Sequence, residues 1–216
     1  MKGKILNGPS RFMLLLSAVL MFSVLFSGKA LAELDPADLA KSGAAIESGN
    51  PVAIVAVTKK VVAKAIKAGG DAGEVAKQAV KASIDAAVSK GVDPATVGQA
   101  VSAGTTAGAV QTAADAGHDT AAAAQAASSG ATSGAVEAAA EAGLDTAAVV
   151  EAASSGSTSG AVEAAAEAGL DTTAVAGAAS SGSTSGAVEA AAEAGLDTAA
   201  VVEAASSGST SGAVEA

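Results

Sequence analysis

The sequence has no cysteine, no tryptophan and no tyrosine, and its three phenylalanines all precede position 27. Without cysteine there are no structural disulfides and no lipid attachment through a lipobox thiol, and the usual zinc clusters lose their main ligand. Without aromatic side chains each residue can bury little. Half of the 216 residues are nominally hydrophobic, but most of these are alanine. A buried Val or Leu side chain contributes roughly 1.5–3 kcal/mol, and an alanine methyl a fraction of that. A fold made from this chain must bring backbones close together or remain marginal.

Positive charge is missing from the larger part of the chain. All 12 Lys and Arg lie at or before Lys90, whereas 15 of the 22 Asp and Glu come after it. The formal net charge is −10. It falls further once a leader of residues 1–32, with Lys2, Lys4, Arg11 and Lys29, is removed. Such a polyanion repels phosphate backbones, which argues against nucleic acid as a partner. It favours solubility and, at most, a weak association with divalent cations.

The chain has repetition instead. Gly143-Leu144-Asp145-Thr146 returns as Gly169-Leu170-Asp171-Thr172 and as Gly195-Leu196-Asp197-Thr198, a period of 26. Each 26-residue unit divides into two related halves of 13. Nine complete units of 13 start at Gly91, Gly104, Gly117, Gly130, Gly143, Gly156, Gly169, Gly182 and Gly195. A tenth starts at Gly208. A fixed period of this kind is the mark of a stacked array.

Residues 1–32 read as a Sec-type signal peptide. Lys2, Lys4 and Arg11 form a basic start, residues 12–26 an apolar run, and Ala30-Leu31-Ala32 an A-x-A cleavage site with Glu33 as the new N-terminus. The run is shorter than the ~20 residues that span a bilayer. The expectation is an extracytoplasmic protein, periplasmic, cell-surface or secreted, with no transmembrane anchor after signal removal.

Residues 33–90 form an N-terminal helical region. Asp35 and Asn50 stand before Pro36 and Pro51 as N-cap before N1. Residues 51–68 carry an apolar stripe through Val52, Val55, Val62 and Ile66, with Lys59, Lys60, Lys64 and Lys67 elsewhere. These helices are richer in Val and Ile than the array of residues 91–216, and are placed to cap it.

The array is expected to be an all-α, short-helix solenoid. Its module is a 13-residue helix-turn unit, giving two helices of about nine residues per 26. Asp93, Asp145, Asp171 and Asp197 are the expected N-caps. Gly117, Gly143, Gly169 and Gly195 are the expected helix stops. Ser and Thr are expected to cap the alternate halves, as Thr158-Ser159 and Thr184-Ser185. A lone helix that short is unstable in water, so the modules must support one another.

Three features suggest sites. The Ser/Thr-rich stretch at residues 154–159, repeated at 180–185 and 206–211, could present hydroxyls to a surface, a glycan or an O-linked modification, but ordinary cap and turn chemistry needs the same residue types. A ladder of Glu137, Glu163, Glu189 and Glu215, with Glu141, Glu167 and Glu193, could attract cations, yet calcium needs six to eight converging oxygens. His118 stands where other units have Leu144 or Leu170, and it has no second His or Cys to complete a metal site. No cofactor motif and no catalytic triad can be composed from these residues.

The resulting expectation is an exported, non-enzymatic repeat protein. It would act as a structural or interaction scaffold in the envelope or outside the cell, its partner an unidentified protein or envelope surface. The alternatives are a largely disordered or polymer-forming spacer and, with less in its favour, an array that binds ice or mineral.

Overall fold

The computed structural model describes residues 36–216. The expected cleavage site (Ala30, Ala32, Glu33) and the expected cap Asp35 lie outside the described residues. Eight helices and no strands make up the described chain: α1 (Pro36–Ser48), α2 (Pro51–Lys67), α3 (Ala72–Lys90), α4 (Pro94–Ala116), α5 (Thr120–Ala142), α6 (Thr146–Glu167), α7 (Thr172–Glu193) and α8 (Thr198–Glu215). No helix among the described residues is long and apolar enough to cross a membrane.

From α4 onward helix starts recur every 26 residues, and each unit holds one helix of 22 or 23 residues in α4 to α7. The expected pair of nine-residue helices per unit does not form. The reason is a difference between the two glycines of each unit. Gly143, with Leu144 and Asp145 next to it, takes a left-handed φ of +65°. Leu144 then donates its N–H back to Ala139 O at 2.9 Å, closing the Schellman turn. Asp145 accepts from the Ala148 N–H at 3.2 Å and starts α6. One Gly-Leu-Asp triplet thus ends one helix and begins the next antiparallel to it. The same turn recurs after Gly117, Gly169 and Gly195, at φ of +68°, +68° and +66°.

The alternate glycines have no such sequel. Gly156 precedes Ser157-Thr158-Ser159, with no aspartate two residues on to cap a new helix. Helix α6 therefore runs straight through. Thr158, Ser159, Thr184 and Ser185 lie inside helices and cap none.

The interior glycines hold the helices together. A Cβ at Gly156 would lie 2.0 Å from Gln99 O, and one at Gly160 would lie 2.3 Å from Ala103 O. Both contacts join residues 57 apart, so α4 and α6 run parallel. The offset recurs for Gly130 on Gly73, Gly134 on Lys77, Gly182 on Gln125, Gly186 on Ser129, Gly208 on Glu151 and Gly212 on Ser155. A glycine pair spaced by four lets two backbones meet, in the manner of Cα–H···O contacts. Helices therefore stack on their second neighbours. One layer is α2, α4, α6 and α8; the other is α3, α5 and α7, with α1 against α2 and α3.

The core is correspondingly small in its side chains. Ile54, Ile84, Val62, Val80, Val97, Val101, Val110, Val136 and Val150 are its largest fully buried aliphatic members, with alanine filling most of the rest. The larger aliphatics concentrate in α2 and α3. These two helices continue the layers, α2 under Gly104 and Gly108 of α4 and α3 under Gly130 and Gly134 of α5.

Candidate functional site

The Ser/Thr-rich stretches form neither turns nor a regular exposed edge. In α6, Ser154, Ser155, Ser157 and Thr158 are buried. They sit beside Gly156 and Gly160, where only small residues allow the helices to approach. Equivalent rows run through Ser102, Ser128 and Ser154, and through Thr106, Thr132 and Thr158, all buried. Some hydroxyls bond within the fold. Thr112 Oγ1 donates to Gly108 O at 2.7 Å, and Ser133 Oγ donates across helices to Gly186 O at 3.1 Å. The hydroxyls of Ser128, Ser154 and Thr158 make no hydrogen bond among the described residues. A glycan or a modifying enzyme has no access to these rows in the folded array. Hydroxyls reach the surface in α7 and α8, at Ser181, Ser185, Ser207 and Ser211.

What repeats on the surface is carboxylate. Glu141, Glu163, Glu167, Glu189, Glu193 and Glu215 are exposed, and Glu137 is half-buried. They stand in the last two turns of each helix, on the face that carries the glycine seam: Glu137 and Glu141 follow Gly130 and Gly134 at helical spacing, and Glu137 meets the side chain of Lys77, on whose carbonyl Gly134 packs. Helices α2 and α3 neutralise the nearest of them. Lys77 Nζ meets Glu137 at 2.5 Å, Lys81 Nζ meets Glu141 at 2.5 Å, and Lys59 Nζ reaches Glu167 at 2.7 Å. Lys67 adds a longer contact to Asp115 at 3.4 Å. The Glu137 hydrogen bond raises the Lys77 pKa above its ordinary value against the cost of burial. For Lys81 burial pulls the other way most strongly, but the contacts with Glu141 and Asp85 together outweigh it and the net shift is upward. Further along, the place that Lys77 and Lys81 hold under α5 is taken by Ala103 and Ala107 under α6, and by Ser129 and Ser133 under α7. Lysines of α2 and α3 thus meet carboxylates as far along as Glu167 on α6, and α4 to α8 contain no Lys or Arg of their own.

Among the described residues no group of three or more His, Cys, Asp or Glu is arranged to hold a metal ion. A shallow cleft of 340 Å³ lies over α3, α5 and α7, lined by Glu74, Lys77, Ser129, Ser133, Glu189 and Glu193. It mixes both charges and converges on no single point. His118 is exposed at the rim of a second, largely apolar cleft with Ile66, Thr112 and Asp119. Its backbone N–H donates to Ala113 O at 2.8 Å, the same bond that Leu144 makes to Ala139, so its turn needs only its main chain.

The caps are ordinary and local. Asn50 accepts from Val52 and Ala53 N–H at 3.1 and 3.4 Å, Asp171 from Thr173 and Ala174, and Asp197 from Ala199 and Ala200. The Thr96 hydroxyl and N–H both donate to Asp93, and hold its carboxyl below the usual carboxylate range. Each of these aspartates is committed to a helix start.

The seam is the feature that sequence reasoning missed. Its signal was present as Gly-x-x-x-Gly, repeated at 104/108, 130/134, 156/160, 182/186 and 208/212. Compared with known proteins, the chain matches no family model, no curated sequence and no solved structure.

Proposed function

We propose that the chain is an exported, non-enzymatic repeat protein that serves as a structural or interaction scaffold in the cell envelope or outside the cell. The observation that supports this most is the recurrence of one surface: Glu137 and Glu141 on α5 are repeated as Glu189 and Glu193 on α7, the next helix of the same layer. Catalysis needs one unlike set of residues at one place. Near-identical units provide length and valency instead. The acidic face disfavours nucleic acid and attracts divalent cations only loosely. Its partner is a protein or envelope surface that reads a regular row of carboxylates.

Two measurements test this. Residues 1–60 fused to alkaline phosphatase, which is active only outside the cytoplasm, should give full activity in cells. A cytoplasmic, inactive fusion counts against export. Deleting one whole repeat, residues 146–171, keeps every turn and seam in phase. Capture of envelope material on the immobilised chain should then weaken in step with the number of repeats. Capture that ignores repeat number points to a single site and against a scaffold.

A further inference from the structure

One layer of the stack repeats a pair of carboxylates without repeating what meets it. Where α5 packs on α3, Gly134 sits on the carbonyl of Lys77. That register sets Lys77 and Lys81 against Glu137 and Glu141, and each ammonium meets its carboxylate at 2.5 Å. Where α7 packs on α5, Gly186 sits on the carbonyl of Ser129 in the same way. Glu189 and Glu193 therefore stand to Ser129 and Ser133 as Glu137 and Glu141 stand to the two lysines. Among the described residues no ion pair reaches Glu189 or Glu193.

Where the lysine stems would lie there is space. The 340 Å³ cleft has α5 as its floor, at Ser129 and Ser133, and α3 and α7 as its walls, with Glu74 and Lys77 on one and Glu189 and Glu193 on the other. Three carboxylates thus face one ammonium, and that ammonium is already engaged with Glu137. Lys77 feels the surplus. The Glu137 hydrogen bond raises its pKa most, and the charges of Glu74 and Glu193 add to the rise against the cost of burial. Ser133 is 9% exposed and donates its hydroxyl hydrogen away from the cleft to Gly186 O, which leaves its oxygen as an acceptor at the floor.

We propose that this cleft binds a linear aliphatic diammonium ligand, its charged ends on Glu189 and Glu193 and its stem over Ser129 and Ser133. The chain itself supplies the ligand class, since an ammonium on a methylene stem is what meets the same carboxylates one helix back in the layer. Residues four apart on a helix are about 5–6 Å apart at Cβ, a span that a short alkyl chain between two ammoniums bridges. A metal ion needs its donors around one point, and an extended dication does not. A free diamine or two lysine side chains of a partner protein would supply this chemistry. The assignment goes beyond the scaffold reading, which rests on export and repeat number.

Titration of the isotope-labelled full chain with putrescine, followed through its amide chemical shifts, tests this. The expected shifts saturate, are confined to residues 126–133 and 186–193, and weaken with added salt. Glu189→Gln with Glu193→Gln alters only exposed side chains, so it should melt like the parent and bind putrescine about fivefold or more weakly. Ser129→Lys with Ser133→Lys installs the stems that α3 already carries at these places. It should fold, and the saturable shifts should vanish. An alanine-based helical peptide with lysines four apart identifies the source. Tighter binding than putrescine at the same amides points to a partner protein, weaker binding to a free diamine, and both uphold the ammonium site. Shifts spread evenly over Glu163, Glu167 and Glu215, an equal response to magnesium chloride, or binding indifferent to both double substitutions would each overturn the proposal.

Discussion

Gly156 and Gly169 are 13 residues apart, stand at the same place in two related halves, and do opposite things. Gly169 ends a helix by taking a φ that a residue with a Cβ adopts only at a cost, and nothing lies within 4 Å of where that Cβ would be. Gly156 has ordinary helical φ, and a Cβ there would collide with Gln99 O at 2.0 Å. The first needs glycine for its backbone freedom, the second for its lack of volume. What separates them is the company each keeps: Leu-Asp after one, Ser-Thr-Ser after the other.

The comparison makes its largest prediction at the seam. Gly156→Ala should destabilise the fold by about 3 kcal/mol, because the atom in the way is a backbone carbonyl that cannot rotate aside. The loss comes despite the ~1 kcal/mol by which alanine outperforms glycine in a helix interior. Gly169→Ala should cost less, about 1–2 kcal/mol, from the left-handed φ alone. Urea denaturation of both variants measures the difference. A turn substitution more damaging than the seam substitution would reverse the assignment of the two glycines.

The turns were legible in the sequence because everything that makes them is local. Gly143, Leu144 and Asp145 are adjacent, and stop, closure and cap can be read off in order. The helical class and the stacked array were legible from the period. The seam was not, because its partner lies 57 residues away and the motif that forms it, Gly-x-x-x-Gly, also fits a pair of turns. Reading both glycines as stops halved the helix length and put Ser154 and Thr158 on a solvent edge. Their burial has the same cause as the packing of Gly156: only small residues fit where two backbones nearly touch. The compensation of Glu137 and Glu141 by Lys77 and Lys81 was legible only as a charge asymmetry between the two halves of the chain.

A smaller effect of opposite sign sharpens what the seam requires. Ser154 is buried and its hydroxyl finds no hydrogen bond among the described residues. Burying an unsatisfied hydroxyl costs on the order of 1 kcal/mol or more, and alanine fits the same space with better helix propensity. Ser154→Ala should therefore leave the array as stable or raise its stability by up to about 1 kcal/mol. A loss of more than that would mean that the seam depends on the hydroxyl as well as on the small volume.

The smallest effect separates backbone from side chain at a single seam residue. Gly134 packs on the carbonyl of Lys77, and the Lys77 ammonium separately meets Glu137. Lys77→Gln keeps the carbonyl and removes the charge, so the seam should survive. The loss should be a few tenths of a kcal/mol, as for other partly exposed pairs. The pH dependence identifies its source. The Lys77 pKa is raised in the folded chain. Its contribution is therefore fully present below the unfolded value of about 10.4 and is lost as pH rises through the folded one. Parent and Lys77→Gln chains should differ at neutral pH and converge above that range. A difference that persists unchanged at high pH would place the effect in packing of the lysine stem against α5, and the seam would then reach beyond its glycines and carbonyls.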